Sequence, residues 1–398
     1  MNARLALLIL AAATALGCGG AQTSKPNPCE PPGCFTPQPN CAYTNRPAVF
    51  VGNAGSSSVS AFQLVAPNSA AGVGLVCGSP FGVTAPPTAL AGGEPAGEQT
   101  YLIVLSAPQK TILLFRVDPL TSILTGPVAT VTTPYTPVAA ATLGGAFQPF
   151  YVANAEGSVS AYEISGQTAS PTVTEIPGSP FPAGAGPAAI AATSGPPFVY
   201  VANSRSNDIS GYSVDPATGA LTPLPGSPFP AGTSPSSIKV WPPQVPSPTG
   251  GATVVIVTNA GSDNVSMYSV ASDGSLTPVP GSPFPAGTTP SSVNLGDYLP
   301  MRHVYVANSG SNNVSGYSID DATGVLTPLV GSPFPAGQGP SSIAVAFSDE
   351  LVYVANTGSA SMSVFTADTA TGVLTPIPGS PFAVGQSPNP VIFFQTPE

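Results

Sequence analysis

Charge is the scarcest property of this sequence. Lysine and arginine together number 8, aspartate and glutamate 18, and charged residues make up 7% of the 398-residue chain. At a formal net charge of −10 the chain has no cationic cluster to neutralise phosphates, so nucleic acid is excluded as a partner. Histidine and tryptophan occur once each, as His303 and Trp241. No Gly-x-Ser-x-Gly nucleophile elbow occurs, and no Asp-x-Asp-x-Asp-Gly calcium loop. What is abundant is punctuation: Pro 51 and Gly 43. Proline costs about 3 and glycine about 1 kcal/mol in a helix interior, which excludes a mainly helical protein. A hydrophobic content of 42% excludes a solvating, disordered tail. An all-β chain with many tight turns is left.

The N-terminus carries one cation, Arg4, and then an apolar run from Leu5 to Leu16. The run is shorter than the ~20 residues that span a bilayer and has the form of a secretory signal. Its end, Ala15-Leu16-Gly17-Cys18, resembles the lipobox of bacterial lipoproteins, with Leu16 placed one residue later than the commoner pattern. The resemblance implies a signal peptide over 1–17, lipidation at Cys18, and a membrane-anchored, exported protein of the cell envelope. Ordinary signal cleavage is the alternative. The remaining cysteines, Cys29, Cys34, Cys41 and Cys77, are even in number in an exported chain and are expected to form two disulfides. Three pairings are open. A zinc site is disfavoured because no Cys-x2-Cys occurs. Residues 18–48, rich in Cys, Pro and Gly, read as a tether.

From residue 49 the chain repeats. Apolar runs ending in Asn recur as Val49 to Asn53, Tyr151 to Asn154, Tyr200 to Asn203, Val255 to Asn259, Tyr305 to Asn308 and Tyr353 to Asn356. The last five Asn are spaced 49, 56, 49 and 48 residues apart, and the first gap of 101 hides a further unit at Leu102 to Ser106. Each of the seven units reads as four short strands: a run after Pro, the run ending in Asn, a third run and a Pro-rich outer run. Four strands per ~50 residues is the signature of a β-propeller blade. The C-terminal run Pro388 to Phe394 aligns on Pro340 to Ala346. It is expected to supply the innermost strand of the first blade. The expected fold over 49–398 is therefore an all-β, seven-bladed β-propeller of four-stranded antiparallel blades, closed by the C-terminal strand.

The Tyr-Val-Ala-Asn units resemble the YVTN propeller repeat and the lactonase-like seven-bladed propellers, a group that includes 6-phosphogluconolactonase. The resemblance covers about 49–398. It implies the fold and keeps a lactone-hydrolase activity open, but no family catalytic motif is present to carry over.

Few residues here suit chemistry. His303 opens a second strand, where it is expected at the surface. The serines of Gly-Ser-Pro-Phe read as outer-strand structure. Asp118, Asp215, Asp320 and Asp368 sit one per blade, so Asx-turns explain them better than calcium. Tyr162, Tyr212, Tyr268 and Tyr317 recur at one register and read as packing between blades. The turns after the Asn positions should ring one mouth of the channel. Their charged members are Lys110, Glu156, Arg205, Asp208 and Asp263. These are the candidate ligand-facing residues, set against a reading as solvated hairpin turns. No metal, cofactor or catalytic residue is expected. The expected role is a binding or scaffold module for a neutral polar ligand such as a glycan, or for an envelope protein. The alternatives are a lactonase-type hydrolase and a structural envelope protein.

Overall fold

The runs that end in Asn carry apolar side chains at every position, without the alternation of a half-buried strand. Such a strand has to be covered on both faces. In the computed structural model of the chain the described residues are 48–64, 73–93, 100–143, 149–166, 171–193, 195–241, 253–298, 301–320, 322–346 and 351–394. Among them, Ala48–Asn53, Phe150–Asn154, Phe198–Asn203, Val254–Asn259 and Leu351–Asn356 are buried along their whole length.

Each run is the second strand of an antiparallel blade. Blade 4 is typical: inner strand Pro187–Ala192, second strand Phe198–Asn203, third strand Asp208–Val214, then an outer strand in two pieces, Leu221–Pro223 and Phe229–Pro230. Seven such sheets form, and the inner strands touch one another in an unbroken circle. Blade 1 joins the two ends of the chain: Pro388–Phe394 pairs antiparallel with Ala48–Asn53, setting Val49 opposite Phe393 and Val51 opposite Val391. The seven blades, their four-stranded build and the closure by the last strand are as the repeats predict.

The core lies between blades. Seven apolar clusters form, each shared by two neighbouring blades. In blade 6, Val304 and Val306 face blade 5, while Tyr305 and Ala307 face blade 7. Burying one such Val or Leu contributes about 1.5–3 kcal/mol. Tyrosines reinforce the joints through their hydroxyls. Tyr305 donates to the Gly372 carbonyl of blade 7 at 2.8 Å, and Tyr317 to the Pro285 carbonyl of blade 5 at 2.6 Å. The outer strand breaks at Gly-Ser-Pro-Phe, and the serine fills the gap. In blade 6 Ser332 Oγ accepts the Gly316 N–H at 2.9 Å, as Ser227 does for Gly211 in blade 4. Blade 2 has no such serine, and its outer strand runs unbroken as Leu124–Thr132.

The repeated Asn is a clamp. In blade 7, Asn356 Nδ2 donates to Ser361 Oγ at 3.2 Å and Ser363 Oγ at 3.0 Å, locking the turn between second and third strands. The linker arriving from blade 6 lies directly on that side chain: a Cβ on Gly337 would sit 2.6 Å from Asn356 Nδ2. The same fit recurs for Gly184 on Asn203, Gly232 on Asn259, Gly287 on Asn308 and Gly385 on Asn53. That contact explains the glycine of the Phe-Pro-Ala-Gly linkers.

The expected two-disulfide framework is not seen among the described residues and is reduced there to Cys77, which is disulfide-bonded. No Sγ–Sγ contact joins any two of the described residues, because Cys77 is the one cysteine among them. The candidates Cys29, Cys34 and Cys41 lie outside the described residues, as do Cys18, the signal peptide over 1–17 and all but the last residue of the tether over 18–48.

Gly337→Ala is expected to destabilise the propeller by about 1–3 kcal/mol, because the methyl group overpacks the clamp. Asn356→Ala should cost a similar amount, about 1–3 kcal/mol, through the loss of two buried hydrogen bonds. The double variant should cost less than the sum, since the added methyl then fills the vacated space. Urea unfolding of the three variants measures this; strict additivity would show that the two residues do not act together.

Candidate functional site

The inner strand of each blade has one ladder edge facing the channel, so its geometry decides what the channel offers. On blades 5, 6 and 7 the inner strands begin Pro-Ser-Ser. The first serine reaches across to the next blade: Ser236 donates to the Pro290 carbonyl at 2.6 Å, Ser291 to Pro340 at 2.7 Å and Ser341 to Pro388 at 3.0 Å. The second serine accepts the next blade's N–H, as in Ile343 N–H to Ser292 at 3.2 Å and Val391 N–H to Ser342 at 3.0 Å. Blades 3 and 4 carry Val138-Ala139 and Ala188-Ala189 there instead. One side of the channel is therefore stitched by hydroxyls, and the other is packed from small apolar residues.

Further along the inner strands the channel widens into a cavity of about 450 Å³. Its wall is mostly small and apolar: Ala91, Gly92, Ala140, Ala141, Ala191 and Ala192, with Leu90, Ile190, Val240, Ile392 and Phe393 around them. Thr142 closes the joint between blades 3 and 2, donating to the Gly92 carbonyl at 2.6 Å. One wall residue is charged, Lys239 of blade 5. Its side chain is exposed to the channel, and desolvation by the protein around the channel lowers its pKa below the ordinary lysine value. Among the described residues nothing hydrogen-bonds or ion-pairs with Lys239.

Sequence reasoning passed over Lys239, although the repeats contain the signal. Counting from the proline that opens each inner strand, the equivalent residues in the other blades are Ile392, Ala91, Ala141, Ala191, Asn294 and Ala344. Alanine is the rule and lysine the departure.

The five charged turn residues do not line this cavity. They sit on the face where the Asn-terminated strands end, and each holds a turn or a linker. Lys110 lies 3.9 Å from Glu156 and donates to the Pro134 carbonyl at 3.0 Å. Glu156 accepts the Thr136 N–H at 2.9 Å and the Thr136 hydroxyl at 2.8 Å. Arg205 packs over Gly186. Asp208 accepts from Asn203 Nδ2 at 2.7 Å, the place Asn313 fills in blade 6. Asp263 accepts the Thr289 N–H at 2.8 Å, as Asn207 and Asn312 do for Ser234 and Gly339. Neutral residues perform two of these roles elsewhere in the same ring, so the charge is incidental to them.

His303 is not at the surface, as its sequence position suggested, but fully buried. It is wedged between its own strand and the turn of blade 7, where a Cβ on Gly372 would overlap its ring. Neither ring nitrogen has a hydrogen-bond partner. Desolvation holds its pKa below the usual value, against a smaller opposing pull from Asp368. The turn aspartates behave as Asx-turns. Asp320 accepts the Thr323 hydroxyl and N–H, each at 2.8 Å, and these bonds depress its pKa. Among the described residues no group of three His, Cys, Asp or Glu converges to hold a metal.

The class of protein these features define is a closed propeller with a ligand-sized channel cavity. Comparisons with known proteins sharpen this. The family model "Lactonase, 7-bladed beta-propeller" matches residues 298–393. A solved Bacteroides uniformis protein, provisionally named a 6-phosphogluconolactonase, superposes with a TM-score of 0.68 at 17% identity, covering 88% of this chain and 99% of its own. The periplasmic gluconolactonase of Pseudomonas aeruginosa gives 0.63 at 19% identity, with 88% and 99% covered. A Lactobacillus plantarum protein gives 0.67 at 18%, with the same coverage. No curated protein matches. The chain has a lactonase-like seven-bladed propeller fold.

The buried histidine sets a pH dependence. An unfolded histidine titrates near pH 6.5, and the folded imidazole titrates lower, so below about pH 6.5 the unfolded chain takes up a proton that the folded one does not. Stability should be full above about pH 7 and fall as the pH drops through 6. The urea midpoint is expected to be lower at pH 5.5 than at pH 7.5, and His303→Leu should flatten that difference. An unchanged slope in the variant would assign it to other groups.

Proposed function

We propose that the protein is an exported, lactonase-type propeller that takes a small sugar lactone, or the corresponding sugar acid, into its channel. The observation that carries this is the lactonase family match over residues 298–393 in a chain whose propeller encloses a cavity of about 450 Å³. A cavity of that size suits one small molecule. Two of the similar folds bear lactonase names, which supports the reading. The location is supported by the signal-like run Leu5 to Leu16 and by the periplasmic neighbour, and lipidation at Cys18 anchors the chain to the membrane.

A second reading is binding without turnover. Lactone opening wants a base or a metal to activate water and a donor for the oxyanion. The residues lining the cavity include no histidine and no carboxylate. A binding module for a sugar or a glycan uses the same cavity without needing that base.

Two measurements test these readings. Purified protein on a panel of aldonolactones should release acid faster than the uncatalysed rate. Rates equal to buffer, together with saturable binding of a sugar or sugar acid, select the binding module. In cells, a fatty-acid probe should label the wild type, and Cys18→Ala should lose both label and membrane association. Retention of both in the variant would remove the lipid anchor.

A further inference from the structure

The described cations divide by their surroundings. Lys110 is paired, Arg302 stacks over the Trp241 ring at 4.3 Å, and Arg205 lies in an exposed turn. Arg116 too is engaged within the fold. Lys239 lines the channel cavity, exposed, with no partner among the described residues. Its ammonium does no work for the fold, since the same position holds Ala, Ile or Asn in every other blade. That exposed ammonium is free to meet an anion that enters the channel.

We infer that Lys239 is the anion-recognition group of the channel, and that the ligand class is a small, singly charged carboxylate, seated with its carboxylate on the Lys239 ammonium and its body against the alanine wall. This rests on the proposed use of the channel and names its substrate class. Single charge follows from the inventory. The wall offers one cationic side chain, so a second carboxylate would find no counter-charge. The overall charge of −10 also disfavours a polyanion. The desolvation that lowers the Lys239 pKa agrees with this, because a bound carboxylate would restore the charged form.

The test uses gluconate, its neutral counterpart gluconamide, and the dianion glucarate as probes, measured by calorimetry on the full chain. The wild type should bind gluconate at least about ten-fold more tightly than gluconamide, with glucarate weaker than gluconate. Raising the salt to about 0.5 M should shrink the preference, as expected for an ion pair. Lys239→Met should abolish the preference while leaving gluconamide binding unchanged, and Lys239→Arg should retain it. The scaffold accepts a neutral residue here, as six blades show, so thermal unfolding of the Met variant should match the wild type. Equal binding of gluconate and gluconamide to the wild type would overturn the inference while leaving the channel reading standing. So would undiminished gluconate preference in Lys239→Met. Binding of none of the three probes, with no lactone turned over, would overturn both.

Discussion

A single blade of this protein has two apolar faces and covers neither. Each second strand is apolar on both sides, and the clusters it feeds belong to different neighbours. A blade is therefore stable only between two others, and a row of blades ends satisfactorily only by meeting itself. Closure of the ring follows from that requirement. The last strand completes the first blade, so the ladder bonds of blade 1 tie the two ends of the chain together. The Asn clamps and glycine linkers serve the same end. They fix the short crossing from one blade to the next, where the backbone would otherwise lose its hydrogen bonds away from water.

Closure also creates the channel. Seven inner strands side by side leave an axial space, and residue size along them sets its width. Alanine and glycine open it into a cavity, and one lysine places charge inside. The chain spends its few charges sparingly. Five of those in the turns hold linkers and loops, and asparagine performs two of these roles in sister blades. Lys239 stands apart because nothing among the described residues answers it. In a protein so poor in charge, an unanswered ammonium lining the channel is a stronger pointer to function than a ring of charged turns that hold linkers.

Much of the architecture was legible because repetition averages out local ambiguity. Any single Tyr-Val-Ala-Asn run is an uncertain strand. Six of them at nearly constant spacing, with a seventh at Leu102 to Ser106, define blades. Asp320 and its counterparts read as Asx-turns from spacing alone, and their hydrogen bonds agree. The candidate site was less legible. His303 looked exposed because it opens a strand, but the blade 7 turn covers it. The turn charges looked ligand-facing because they share a mouth, but each is engaged by a neighbouring linker that the one-dimensional pattern does not show.

The amino-acid sequence by itself determined the number of blades, the strands in each and the closure, because these depend on local periodicity and turn chemistry that every repeat restates. The tertiary structure decided which face of each strand meets which neighbour, how wide the channel is, and which charges find partners. Those properties depend on contacts between residues 49 to 67 positions apart, such as Ser291 with Pro340 or Tyr305 with Gly372. The paucity of charge marks the sequence from the outset. The ring of blades decides where one of those charges stands alone.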